Sequence, residues 1–254
     1  MKLNYKVQGS GKTLVFIHGL ADSLEYWEPV TNNLKEDYQI VTFDLRGHGM
    51  AQEYDEITME TYVGDLLNIL DRLELGEVNL IGLSLGGAIA QEFTLRYPER
   101  VSSLVLMSTF YKCNDYMTEI FIKLKNTLNN SFEEFYETIL PMSLCPNVIE
   151  ENKKELETNK RELSKTANLD AYTKAVDVCM AFNDEDRLHE IDVPTLIMAG
   201  KYDTLTPLDT QEALHKKIGS SELVVLDNIR HNLLVGEHID MISDMINDFN
   251  GRLS

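Results

Sequence analysis

The chain has 254 residues, 43% of them hydrophobic, a size and composition typical of one globular domain with a large hydrophobic core. It carries 42 acidic and 23 basic side chains, which gives a formal net charge of −19 at pH 7. That charge opposes binding to the phosphate backbone of nucleic acid or to an anionic membrane surface, because both require a basic face. We therefore expect neither nucleic acid nor a membrane as a partner.

The N-terminal segment, residues 1–11, is too polar to form the apolar core of a secretory signal, and no later segment approaches about 18 uncharged apolar residues in a row. These features predict a cytoplasmic protein. The three cysteines, Cys113, Cys145 and Cys179, are an odd number without C-x-x-C spacing, and the chain has no H-E-x-x-H motif. These patterns favour free thiols over disulfides, and we predict no metal and no cofactor.

Short apolar runs, each bounded by Gly, Asp or Pro, alternate with longer segments of helical periodicity. The runs are apolar on both faces, as expected for strands between two layers of helices. This alternation is typical of an α/β protein with a mostly parallel sheet and helices on both faces. In chain order the predicted strands are 14–18, 39–44, 78–83, 101–107, 195–200 and 222–226. The predicted helices between and after them are 59–75, 86–96, 208–218 and 239–249.

The alternation stops between residues 109 and 190, where the composition turns to helix formers and no strand run occurs. We interpret residues 109–190 as an inserted helical cap, or lid, and residues 1–108 and 191–254 as the α/β core. The aromatic and methionine side chains of this cap favour an apolar pocket. They are Phe110, Tyr111, Met117, Phe121, Phe132, Phe135, Tyr136, Met142, Met180 and Phe182.

Residues 82–86 form a G-x-S-x-G motif, Gly82-Leu83-Ser84-Leu85-Gly86, between a predicted strand and a predicted helix. Such a sharp turn exposes the serine hydroxyl at the end of the sheet, and glycines are needed because side chains there would collide with neighbouring backbone. Ser84 would also lie at a helix N-terminus, where the helix dipole favours negative charge. We predict that Ser84 is a catalytic nucleophile.

A serine nucleophile needs a base within hydrogen-bond reach and a group that orients the base. His231 follows the last predicted strand through a polar link and is the predicted base. Asp203 lies in the loop after the preceding strand and is the predicted orienting acid, with Asp227 as the second choice. The predicted triad therefore has the chain order Ser84, Asp203, His231.

Acyl transfer also requires backbone N–H donors for the oxyanion that forms during the reaction. One predicted donor is the N–H of Leu85, which follows the nucleophile. The second must come from an early loop, and the N–H of Leu20 is the candidate because the sequence His18-Gly19-Leu20 ends the first predicted strand. We interpret His18 and the turn at residues 44–49 as scaffold rather than as catalytic groups.

Together these motifs resemble the α/β-hydrolase superfamily, in its capped branch of esterases, lactonases and carbon–carbon bond hydrolases. The resemblance covers nearly all of residues 2–107 and 193–250, and the motifs occur in the family's order. It implies the α/β-hydrolase fold and acyl transfer by a serine. Two positions depart from the family pattern: Met50-Ala51 stands where a serine is usual, and Arg230 precedes the histidine where glycine is usual. Neither departure removes a reacting group.

We predict a carboxylesterase that cleaves esters of small apolar acyl groups through an acyl-enzyme and acts on a small-molecule ester as a monomer or homodimer. Three alternatives stay open. They are an enol-lactonase or carbon–carbon hydrolase of aromatic catabolism, an acyl-carrier or acyl-CoA ester hydrolase, and a slow-turnover ligand receptor. A basic pocket residue for a substrate carboxylate would favour the first alternative, and Lys201 and Arg230 are the candidates near the predicted triad.

Overall fold

A seven-stranded sheet forms the centre of the computed structural model, which describes residues 3–236 and 238–253. In chain order its strands are β1 (Tyr5–Gln8), β2 (Lys12–Ile17), β3 (Tyr38–Phe43), β4 (Val78–Leu83), β5 (Val101–Met107), β6 (Thr195–Gly200) and β7 (Ser221–Leu226). Their spatial order is β1-β3-β2-β4-β5-β6-β7. Neighbouring strands are parallel except for β1, which pairs with β3 in the antiparallel sense.

All six predicted strands are present, and their ends agree with the structure to within two residues. Strand β1 was not predicted, because this edge strand is short and exposes Lys6 and Val7 instead of presenting a buried run. The expectation that every strand is covered on both faces is wrong for β7. That strand forms the opposite edge of the sheet, and Glu222 and Val225 are exposed.

The described residues form ten α-helices, and the four predicted ones are among them. The first helix was not predicted, because its sequence contains proline, valine, threonine and two asparagines, which are weak helix formers. None of the helices in the described ranges is long and apolar enough to cross a membrane. The helices are α1 (Glu28–Leu34), α2 (Met59–Arg72), α3 (Leu85–Arg96), α4 (Asp115–Asn130), α5 (Phe132–Ser143), α6 (Pro146–Glu151), α7 (Lys153–Thr166), α8 (Leu169–Ala181), α9 (Leu208–Lys217) and α10 (His238–Arg252).

The helices cover both faces of the sheet, because successive residues of a strand point to opposite sides. In β2, Val15 and Ile17 belong to one hydrophobic cluster, whereas Leu14 and Phe16 belong to another. Helices α2, α3 and α9 contribute to the first cluster, and α1 and α10 contribute to the second. This arrangement confirms the predicted α/β class with helices on both faces.

The segment between β5 and β6 contains α4 to α8 and, within the described ranges, no strand. An isolated antiparallel bridge joins Lys112 to Asn183, so the segment leaves the sheet and returns to it side by side. Its apolar residues share the first hydrophobic cluster with the sheet. The division into an α/β core and a cap at residues 109–190 therefore stays a prediction, and residues 1, 2, 237 and 254 of that core lie outside the described residues.

A buried ion pair joins the turn after β3 to α2. The guanidinium of Arg46 donates two hydrogen bonds to the carboxylate of Asp65, and both N–O distances are 2.7 Å. The two side chains are only 13% and 7% exposed. Arg46 also donates to the carbonyl of Glu56 at 2.8 Å, so this one side chain holds three segments together.

Replacing Arg46 with alanine should lower the free energy of unfolding by about 3 kcal/mol, because Asp65 would keep a buried charge without its partner. Arg252→Ala is the matched control. Arg252 pairs with Glu222 at 3.0 Å, but both side chains are more than half exposed, and loss of such a pair costs about 1 kcal/mol or less. Urea unfolding followed by circular dichroism measures both variants, and equal losses would contradict the prediction.

Candidate active site

Ser84 lies in the turn between β4 and α3, with φ = 52° and ψ = −116°. A positive φ is unfavourable for a residue that has a Cβ atom, so this turn is strained. The flanking glycines are required by close backbone contacts: a Cβ on Gly82 would collide with the backbone of Gly86, and a Cβ on Gly86 would collide with the carbonyl of Ile17. The local geometry is the sharp turn that the G-x-S-x-G motif predicts.

Asp203 and His231 are in direct contact, with 2.8 Å between Oδ2 of the carboxylate and Nδ1 of the imidazole. The other carboxylate oxygen accepts hydrogen bonds from the backbone N–H groups of Leu205 and Thr206, at 2.7 and 3.0 Å. The Thr206 hydroxyl donates to Oδ2 at 2.7 Å. These hydrogen bonds fix the Asp203 carboxylate, which in turn orients the His231 imidazole. In this orientation Nδ1 carries the proton, and Nε2 is free to accept one.

Ser84 and His231 lie on the wall of one cavity of about 110 Å³, which we call the Ser84 cavity. The described chain shows no direct hydrogen bond between the Ser84 hydroxyl and His231. Hydrogen bonds of this kind are often long before substrate binds, so the shared wall is the informative observation. Residues of the predicted cap also line this cavity, namely Phe121, Leu124, Ile139, Ser143 and Cys179.

The two predicted oxyanion donors adjoin the nucleophile. A Cβ placed on Gly19 would lie 3.5 Å from the Cβ of Ser84, so the loop after β2 packs against the serine turn. The backbone N–H groups of Leu20 and Leu85 donate no hydrogen bond in the described part of the chain. For Leu85 the reason is that the first N–H groups of a helix have no intrahelical acceptor. Both groups are therefore available to a substrate oxygen.

His18 and Asp44 make hydrogen bonds to the loops around them, which is consistent with the predicted scaffold role. The backbone N–H of Leu45 donates to Nε2 of His18 at 3.0 Å, so Nδ1 carries the proton and donates to the Gly19 carbonyl at 2.8 Å. Burial lowers the pKa of His18 to about 4, which keeps the imidazole neutral near pH 7. Asp44 accepts hydrogen bonds from the backbone N–H groups of Leu24 and Met50, at 2.8 and 2.7 Å. These contacts fix the loop that carries Leu20.

The structure separates Asp227 from His231. Asp227 pairs with Lys201 at 2.6 Å, and their side chains are 69% and 48% exposed. Arg230 donates a hydrogen bond to the carbonyl of Pro141 in α5. Among the described residues, the wall of the Ser84 cavity includes no lysine and no arginine. Neither of the basic residues considered as partners for a substrate carboxylate therefore reaches this cavity.

Several cavity residues were not predicted from the sequence. Asp22 lies two positions after Leu20, Thr206 lies three positions after Asp203, and Asn232 follows His231 directly. Tyr26 also lines the cavity, and its hydroxyl donates to Oδ1 of Asn232 at 2.9 Å. Proximity in sequence to the predicted site residues Leu20, Asp203 and His231 was the signal that could have identified the first three.

Asp22 is a partly buried carboxylate on the cavity wall. Its Oδ1 accepts a hydrogen bond from the backbone N–H of Ser23 at 3.1 Å, and no lysine or arginine of the described chain pairs with it. Burial raises the pKa of Asp22 to about 7, and the negative charge of Glu25 adds to the increase, whereas the hydrogen bond from Ser23 opposes it. The folded protein therefore disfavours the charged form of this side chain.

A sequence model described as the alpha/beta hydrolase fold matches residues 12–237. RutD of Rhizobium rhizogenes, a candidate carbamate hydrolase, is 29% identical to this chain, and the alignment covers 92% of this chain and 93% of RutD. The pimeloyl-[acyl-carrier protein] methyl ester esterase of Legionella pneumophila is 23% identical over 98% of this chain and 99% of its own length. Both names denote hydrolases, but the first names a carbamate as the substrate and the second a methyl ester.

Solved structures show the same fold. The crystal structure of the enol-lactonase from Burkholderia xenovorans superimposes with a TM-score of 0.90 at 21% identity and covers 98% of this chain and 96% of the enol-lactonase. At this identity the likeness supports the architecture, namely the sheet with helices on both faces. The predicted α/β-hydrolase fold is thereby confirmed.

Asp22→Asn should raise the melting temperature near pH 8.5 and change it little near pH 4. The folded state holds the Asp22 proton up to about pH 7, whereas the unfolded chain releases it near pH 4. The carboxylate therefore reduces stability progressively from about pH 4 to pH 7, and fully above that range. Thermal melts at both pH values, with Asp55→Asn as the control at an exposed acid, measure the effect. A pH-independent gain would contradict it.

Proposed function

The chain belongs to the alpha/beta hydrolase fold family, and from this premise we propose that it is a serine hydrolase that cleaves carboxylic esters of small apolar acyl groups. One observation carries the proposal: the strained serine at residue 84 and the Asp203–His231 pair meet at a single cavity. Two backbone N–H groups without acceptors, those of Leu20 and Leu85, support it. A nucleophile, an oriented base and oxyanion donors are the parts that acyl transfer requires.

In the proposed first step, Nε2 of His231 takes the proton of the Ser84 hydroxyl while Oγ bonds to the carbonyl carbon of the ester. Asp203 stabilises the imidazolium that forms. The N–H groups of Leu20 and Leu85 donate to the oxyanion. The C–O bond to the alcohol then breaks, and the alcohol leaves with the proton from His231. Water attacks the acyl-enzyme by the same route, which releases the acid and restores the serine.

The size and lining of the Ser84 cavity support small acyl groups. Its volume of about 110 Å³ is well below the roughly 300–1,000 Å³ of typical ligand pockets. Leu83, Phe121, Leu124 and Leu205 contribute apolar side chains to its wall. A short apolar acyl group suits such a space better than a long chain.

The lack of a basic side chain on the described cavity wall also ranks the alternatives. Substrates of aromatic ring fission carry carboxylates, and acyl-carrier or coenzyme A substrates carry phosphates. An enzyme for either class would therefore be expected to have a lysine or arginine near the reacting ester.

A panel of p-nitrophenyl esters of increasing acyl length, run beside a lactone and a carbamate, tests the bond type and the acyl size together. If the protein hydrolysed no compound of the panel, this result would favour the receptor alternative.

A cytoplasmic location and a monomeric or homodimeric state stay predictions from the sequence.

Ser84→Ala should lower kcat for p-nitrophenyl acetate on the order of 10⁶-fold, because the acyl-enzyme cannot form without the hydroxyl. Circular dichroism should show an unchanged fold. A fluorophosphonate should label the wild-type protein at Ser84 and leave Ser143, a second serine on the same wall, unlabelled. A tenth of wild-type turnover in Ser84→Ala, or a label on Ser143, would contradict the role of Ser84.

Asp203→Asn should lower kcat by roughly 10⁴-fold, because an amide at this position favours the wrong tautomer of His231. Asp227→Asn is the matched control, since it removes only an exposed ion pair with Lys201 and should change kcat less than about twofold. Steady-state kinetics on one ester compares the two variants. A larger loss in Asp227→Asn would move the orienting acid to residue 227.

A further inference from the structure

The Ser84 cavity adjoins a larger space of about 500 Å³, which we call the outer groove. The outer groove lies between the loop after β2 and helices α5 and α7 of the predicted cap. The two spaces share wall residues, and we call the boundary region that these residues line the passage. These passage residues are Leu20, Asp22, Tyr26, Ile139, Ser143 and Asn232.

Within the described residues, no lysine or arginine lines either space, and the walls carry aspartate and glutamate side chains. Glu25 and Glu162 line the outer groove only. Glu162 pairs with Lys165 at 2.6 Å, and Glu25 accepts a hydrogen bond from the Ser23 hydroxyl at 2.6 Å. Asp22, in the passage itself, is the acid of this set that is partly buried and has no side-chain partner.

Aromatic side chains accompany this carboxylate. Tyr26 lines the passage, and Phe132, Phe135 and Tyr136 line the outer groove. The hydroxyl proton of Tyr26 is donated to Asn232, so it does not satisfy Asp22. Aromatic rings together with a carboxylate form the kind of surface that attracts an organic cation, because the ring faces and the carboxylate are both negative.

We propose that Asp22 selects esters whose alcohol portion carries an ammonium group, an inference that rests on the serine hydrolase function proposed above. With a small acyl group in the Ser84 cavity, the alcohol portion extends through the passage into the outer groove and passes Asp22. A positive charge there pairs with the carboxylate in a partly desolvated space, where charge pairs are stronger than in bulk water. A neutral alcohol portion gains nothing from Asp22, and an anionic one is repelled.

The same pairing explains why the chain keeps an acid that the folded protein disfavours. Without a cation, the buried charge of Asp22 reduces stability. With an ammonium group beside it, the desolvation of the carboxylate is offset by direct attraction. A side chain that reduces stability in the free protein and meets its partner only in a complex is typical of a binding site.

Acetylcholine and 3,3-dimethylbutyl acetate test the proposal, because they share the acyl group and the shape of the alcohol and differ by one positive charge. In the wild type, kcat/KM should be about tenfold higher for acetylcholine. Asp22→Asn should bring the ratio of the two kcat/KM values close to one. Glu162→Gln makes the same charge change in the outer groove away from the passage and should alter this ratio less than about twofold.

A wild-type ratio near one, or a ratio that Asp22→Asn leaves unaltered, would overturn the proposal. A loss of the ratio in Glu162→Gln equal to that in Asp22→Asn would also overturn it, because the effect would then come from the general field of the groove. Hydrolysis of the neutral ester without a preference for the cationic one would leave the serine hydrolase function intact and remove only the inference about Asp22.

Calorimetric titration of Ser84→Ala with the same two esters measures binding without turnover. Acetylcholine should bind about tenfold more tightly than its neutral isostere, and Asp22→Asn in the Ser84→Ala background should remove the difference. This result would support Asp22 even if the wild type hydrolysed neither ester. The absence of turnover across the panel of p-nitrophenyl esters, lactone and carbamate would overturn the hydrolase function alone. Equal binding of the two esters to Ser84→Ala would overturn the role of Asp22.

Discussion

The left-handed backbone of Ser84 is the constraint on which the candidate site depends. Such a conformation costs about 1–3 kcal/mol, so the surrounding structure must enforce it. The backbone N–H of Ser84 donates to the Met107 carbonyl at 2.9 Å, and the Thr109 hydroxyl donates to the Ser84 carbonyl at 2.6 Å. The end of β5 and the start of the predicted cap therefore hold the turn together, so the cap entrance and the candidate nucleophile share one set of contacts.

The parallel sheet brings distant parts of the chain to this turn. Strands β2, β4, β6 and β7 end at the same edge, and the loops that follow them carry Leu20, Ser84, Asp203 and His231. Ligands of open α/β sheets bind at this edge because the loops there are free to vary while the strands hold them in place. The buried Arg46–Asp65 pair and the His18 contacts make the loop scaffold rigid without entering the cavity.

Two side chains of the Ser84 cavity break local rules of stability. Ser84 has a positive φ, and Asp22 is a partly buried acid without a cationic partner in the described chain. Much of the described structure follows those rules, with apolar strands, capped helices and a paired buried arginine. A positive φ also occurs at Ala21, Glu74, Ser108 and Asn228. Departures of this kind concentrate at functional sites, since selection retains strain only where it serves binding or chemistry. Ser84 belongs to the proposed triad and Asp22 does not, so Asp22 is the departure that supports a functional cavity independently of the triad.

Features with a local signature were predictable from the sequence: the buried strands have continuous apolar runs, and the serine turn needs its glycines for steric reasons. Tertiary structure alone decided the remaining features, because they depend on contacts between distant segments. Phe110 and Phe121 are both phenylalanines of the predicted cap, but packing buries Phe110 completely and places Phe121 on the cavity wall. Asp203 and Asp227 both follow strands, but the fold places Asp203 against His231 and leaves Asp227 in solvent with Lys201. Sequence periodicity records which residues are apolar, whereas the rotation of a helix and the path of a loop set which ones reach the site.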